Sequence, residues 1–208
     1  MCDNNAYKVD IDKGYKILRC ISPPIILLNS PPAMDKTEFI KKFRDDGYSI
    51  LSDVSDLSDD KQIKKIHQIL TDRKYKNMDH TPLIIDANII NENLIIKIFN
   101  DNFNNFTYVF LYPNNSKLYK EHITNYLSNK TSQNLFDNFN QLKLNTIIDL
   151  INNILKTDQD NNLKNKLMIE KERDKNITKL TIELIKLSKE TYQRHLEMFD
   201  NKIFTILI

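Results

Sequence analysis

The run Ile25-Ile26-Leu27-Leu28 is apolar at every position, starts behind Pro23-Pro24 and gives way at once to the polar string Asn29 to Asp35. An amphipathic helix would turn some of those positions to water, and a helix buried on all sides would run longer. So short a run reads as a strand covered on both faces by helices, which points to a parallel sheet. The pattern recurs in Leu83-Ile84-Ile85, which follows Pro82 and closes on Asp86, and in Phe106 to Tyr112, which Pro113-Asn114-Asn115 stops. Tyr48 to Ser52, after Gly47, and the terminal stretch 202–208 read as further strands.

Between these runs the apolar spacing is helical. Phe39, Ile40 and Phe43 make one face of a helix predicted over 36–46, and Ile63, Ile66, Ile69 and Leu70 one face of a helix over 58–73, behind a Ser/Asp-rich start suited to capping. A further helix is predicted over 91–99. Strands that alternate with helices build βα units. The expected fold is therefore α/β, three layers around a mostly parallel sheet of about five strands, with Tyr15 to Ile21 as a short edge strand and residues 1–15 as a polar extension.

From Lys117 the pattern is almost wholly helical, through Tyr119, Ile123 and Tyr126-Leu127, then Leu135, Phe136 and Phe139, then Ile147 to Leu155. Residues 157–162 read as a loop and 163–199 as one long helix carrying a mixed-charge run at 170–175. At 208 residues the chain suits one domain with a helical excursion over 116–162.

Composition removes several function classes. With 30 Lys+Arg against 28 Asp+Glu the formal charge is only +2, so the chain lacks the long-range positive field of a nonspecific nucleic-acid binder. Cys2 and Cys20 form no metal-ligand pair and no disulfide framework, which suits a reducing compartment. No apolar run is long enough to span a bilayer and the start carries no secretory signal, so a cytoplasmic protein, or one packaged from there, is expected. Only two glycines, Gly14 and Gly47, occur among abundant Asn, Lys and Ile. Such usage fits AT-rich coding of the kind found in some large DNA viruses.

Residues 25–39, IILLNSPPAMDKTEF, resemble the first strand, phosphate loop and helix start of the P-loop kinases, in which a GPPGSGKT-like string follows the strand. Ser30 stands at the first glycine position, Pro31 and Pro32 at the two prolines, and Ala33 and Asp35 at later glycine positions, while Lys36 and Thr37 match the invariant pair. The resemblance implies that Lys36 reaches the β and γ phosphates of ATP, that Thr37 holds Mg²⁺, and that the loop's backbone N–H groups cradle phosphate. It also places Asp86, which closes a strand, on the metal, Asn88 at the same cleft, and Asp53 or Asp56 at the acceptor hydroxyl as orienting group or base. Arg73 would touch an acceptor phosphate. Lys117, Lys120, His122 and Lys130 fall where family members carry the arginines of a lid, without arginine's bidentate fork. Arg194 and His195 read as surface contacts, and His67 and His80 lack a zinc pattern.

Two functions lead, ahead of a third, a nucleic-acid end kinase or repair factor, which would need a lysine-lined groove leading into the cleft. One is ATP-dependent phosphoryl transfer to a nucleotide, nucleoside or other small molecule, with Lys36 and Asp53 catalytic, Ser30, Asp35, Lys36, Thr37, Lys120 and Lys130 binding the nucleotide, and Thr37 and Asp86 binding the metal. The other is a catalytically inactive kinase-like domain that serves as a structural or interaction module, with a protein partner or a second copy of itself. The glycine-free loop supports the second. Ala33 meets positive φ only at a cost, and Asp35 sets a carboxylate beside any incoming phosphate.

Overall fold

The computed structural model describes residues 8–51, 59–76, 81–87, 106–129, 145–159, 166–198 and 204–208. The predicted helix at 91–99 and the apolar positions 135–139 lie outside them. The described strands are β1 (Lys8–Asp10), β2 (Ile25–Asn29), β3 (Ser49–Leu51), β4 (Leu83–Ala87), β5 (Phe106–Tyr112) and β6 (Phe204–Leu207). The helices are α1 (Ile11–Ile21), α2 (Thr37–Asp45), α3 (Asp59–Tyr75), α4 (Ser116–Asn129), α5 (Asn145–Gln159) and α6 (Lys166–Met198).

The strands form one six-stranded sheet in the order β1-β6-β5-β2-β4-β3, and every pairing is parallel. The three-layer α/β expectation stands, with one strand more than the sequence suggested. β2 lies in the interior, with Leu27 opposite Ile85 of β4 on one side and Tyr108 of β5 on the other. All five of its residues are buried, and each fully buried Ile or Leu contributes about 1.5–3 kcal/mol.

The two-residue period of the strands divides the core in two. Ile26, Leu28, Ile84, Val109, Leu111 and Ile206 face Leu18 of α1, Phe39 and Phe43 of α2, Ile123 of α4, Ile151 of α5 and Leu180 of α6. Ile25, Leu27, Ile85, Tyr108 and Phe110 face Ile66 and Leu70 of α3 and Tyr192 of α6. One helix, α6, therefore contributes to both cores.

The N-terminal region departs from expectation. Residues 11–21 are a helix, not an edge strand, because Asp10 caps them by accepting the Lys13 N–H at 2.8 Å and Ser22 ends them at φ 49, its N–H returning to Leu18 O. Lys8–Asp10 is the true edge strand, so the polar extension is shorter than residues 1–15. At the other end, α5 runs through Gln159, into the stretch read as a loop.

From β2 the chain goes to β3 and β4 on one side of the sheet and to β5 and β6 on the other. The carboxyl end of β2 is thus a topological switch point, where open α/β sheets hold their ligands. Such an arrangement is consistent with a generic nucleotide-binding α/β scaffold. Among the described residues no helix is long and apolar enough to cross a membrane.

Candidate functional site: the loop at the carboxyl end of β2

The loop between β2 and α2 stands at that switch point, and its own hydrogen bonds decide what it can offer a ligand. Pro31 and Pro32 carry no N–H. Ala33 takes φ 61, a left-handed conformation at one of the glycine positions of the resemblance, which costs a residue with a Cβ about 1–2 kcal/mol. The Met34 N–H turns back to Pro31 O at 3.4 Å. The Asp35 N–H donates to Nδ1 of His122 on α4, also at 3.4 Å. Thr37 N–H donates to Asp35 Oδ1 at 2.9 Å. Ser30, almost fully buried, donates its hydroxyl to Pro31 O at 3.1 Å.

Asp35 consequently places a negative charge at the N-terminus of α2, where the helix dipole favours an anion. Burial pushes its carboxyl upward, but hydrogen bonds from the Thr37 side chain and backbone, with His122 nearby, outweigh burial and hold it below the ordinary aspartate value. The carboxylate therefore stays charged at neutral pH. It takes the kind of contact that a bound phosphate or metal would take from Thr37.

Lys36 and Asp86 are both predicted site residues, and the fold brings them together. β4 pairs with β2 so that Asp86 lies opposite Leu28, on the face where α2 packs. From the start of α2, Lys36 Nζ reaches an ion pair with Asp86 Oδ1 and donates to Ala87 O at 3.0 Å. The two residues are 7% and 8% exposed, so the pair is desolvated and each charge depends on the other.

Two helices cover the loop. Tyr119 of α4, fully buried, donates to Pro32 O at 2.7 Å, and burial raises its hydroxyl pKa far above the ordinary value. From α6, Leu187, Ser188 and Thr191 meet Asn29, Ser30, Pro31, Pro32 and Phe110 around a cavity of about 10 Å³, close to the smallest space that holds one water.

Beneath it runs a buried polar chain. Asn29 Nδ2 donates to the Tyr108 hydroxyl oxygen at 2.8 Å, and that hydroxyl lies 2.8 Å from His195 Nδ1. In the tautomer whose Nδ1 accepts the Tyr108 proton, the neutral imidazole carries its own proton on Nε2. Nε2 is buried without a hydrogen-bond partner among the described residues. Burial, with Arg194 adding a smaller effect, lowers the His195 pKa to about 4. His195 is thus a core residue and not the surface contact expected of it. Its place on the inner face of α6 carries no apolar signal, since Ser188, Thr191 and His195 share that face.

Other predicted residues lie elsewhere. Lys120 pairs with Asp174 of α6 at 2.7 Å, away from the loop's own bonds. Arg73 is buried, its Nη1 3.2 Å from Thr81 Oγ1 and its Nη2 donating to Thr81 O, so it ties α3 to the start of β4 instead of reaching outward. Asp53, Asp56, His80, Asn88 and Lys130 lie outside the described residues. Among the described residues no three His, Cys, Asp or Glu side chains group as a metal site would. The N–H groups of Met34, Asp35 and Thr37 and the Lys36 ammonium each have a partner within the chain. No protein-family model, curated protein or solved structure matches this chain.

Proposed function

We propose that this chain is a P-loop-kinase-like domain whose phosphate loop is closed on its own side chains, and that it works as a structural or protein-interaction module, without transferring phosphate. The observation that carries this reading is the commitment of the loop's donors. Met34 N–H, Asp35 N–H and Thr37 N–H each have an acceptor within the chain, and one of those acceptors is the carboxylate of Asp35. A triphosphate entering here would have to displace that carboxylate, part Lys36 from Asp86 and lift the Tyr119 and α6 cover, and electrostatic repulsion from Asp35 opposes the first step.

A second reading keeps one specific observation in its favour. Lys36 pairs with Asp86 at the switch point, next in sequence to Thr37 at the start of α2; in a magnesium-dependent phosphotransferase Thr37 and Asp86 would hold the metal, and Asp53 and Lys130 would serve as base and lid cation. In that reading ATP and Mg²⁺ are the cofactors and a nucleotide or another small hydroxyl compound is the acceptor. Calorimetric titration of ATP·Mg²⁺ into the protein, beside a Lys36→Ala variant, separates the two. The closed-loop reading expects no saturable binding below millimolar concentration, at more than one temperature so that a vanishing enthalpy is not mistaken for absence. Micromolar binding that the variant loses would overturn it.

In either reading the domain is expected to act from the cytoplasm, or from a virion assembled there. The partner expected under the first is a protein or a second copy of the chain, not nucleic acid.

A further inference from the structure

We infer that the second half of α6 is a strap across the crevice that buries two polar atoms of its own without partners among the described residues, and that it lifts from the loop while the sheet stays folded. This deepens the closed-loop reading by naming what holds the loop covered. Ile177, Leu180 and Leu184 of α6 belong to the core on one face of the sheet and Tyr192 to the core on the other. Where the helix passes between them, Leu187, Ser188 and Thr191 lie against Asn29 to Pro32.

The seat is uneven. Tyr192 is well held: its hydroxyl accepts from Thr205 Oγ1 at 3.0 Å, and its ring lies 5.5 Å from Phe110 and 5.4 Å from Tyr112. One residue before it, Thr191 Oγ1 is buried at the cavity without a hydrogen-bond partner among the described residues, and one turn after Thr191 so is His195 Nε2. Both atoms would gain water if the segment lifted, which offsets part of what lifting gives up in the burial of Tyr192 and the Tyr108–His195 hydrogen bond. Upstream, Thr181 and Ser188 bond back to the carbonyls of Ile177 and Leu184 at 2.8 and 2.6 Å. Such back-bonding weakens and bends helices, which makes 181–188 the place where the strap would flex.

Hydrogen exchange of the whole protein under native conditions, resolved by segment, tests this. The amides of residues 33–37 and 187–198 should exchange together, about tenfold or more faster than those of β4 and β5. Thr191→Val, which removes one orphaned hydroxyl at nearly constant volume, should slow both segments about threefold to tenfold, and Leu187→Ala should speed both by about tenfold, while β4 and β5 are unchanged in Thr191→Val. Exchange of 187–198 only in step with β4 and β5, or loop amides indifferent to both variants, would overturn the strap. Titrating ATP·Mg²⁺ into Leu187→Ala separates this inference from the reading beneath it. Coupled exchange without nucleotide binding upholds both, whereas coupled exchange with binding keeps the strap and overturns the closed loop.

Discussion

Lys36 and Asp86 show how much one residue pair carries. Each is buried, so removing either leaves the other charged in a low-dielectric interior. Lys36→Ala should lower unfolding free energy in urea by about 3–5 kcal/mol, and the double variant Lys36→Met/Asp86→Leu should recover most of it. Losses from the Lys36 and Asp86 single variants that simply add in the double variant would mean the pair is not coupled. At Ala33, substitution by glycine relieves the left-handed conformation, about 1–2 kcal/mol, against about 0.5–1 kcal/mol of added chain entropy, so Ala33→Gly should stabilise by about 0.5–1 kcal/mol. His195 fixes a pH dependence. Its folded pKa of about 4 lies below the unfolded value of 6.5, so its contribution is full above pH 6.5 and is lost as pH falls from 6.5 toward 4. Between pH 7 and pH 5 the protein should lose about 2 kcal/mol through this group, a slope absent from His195→Leu.

Among the elements, α1 depends on close approach. A Cβ at Gly14 would stand 2.8 Å from both Cδ1 and Cγ1 of Ile206, so Gly14→Ala should push α1 off β6. Overpacking of about 1–3 kcal/mol exceeds the helix propensity of about 1 kcal/mol gained, and Ile206→Val in the same chain should restore part of the loss. This element was also the hardest to read from sequence. Tyr15 to Ile21 is a short, largely apolar run that passes for a strand, and only the cap at Asp10 and the contact with a residue far along the chain decide for a helix. β1 is shorter still, three residues held by pairing to β6. The central strands β2 and β4 were legible for the opposite reason, being buried on both faces and so apolar throughout their strand cores. Lys36 and Asp86 could be picked out by their places after strands, but not their ion pair, which depends on strand register. His195 was missed because a polar inner face looks like an outer one.

For the whole molecule, the sheet places a crevice where ligands of such folds bind, and the chain then fills that crevice from three directions. Asp35 takes the helix N-terminus, Tyr119 and His122 of α4 hold the loop's backbone, and α6 closes it from above. Near balance of charge adds no field to draw an anion in. The most direct test is to follow the backbone amides of Met34, Asp35 and Thr37 by nitrogen-proton NMR as ATP·Mg²⁺ is added. Closure predicts three hydrogen-bonded amides whose shifts do not change up to millimolar nucleotide. Saturating shifts at micromolar nucleotide, centred on these three, would contradict it and return the loop to phosphate binding.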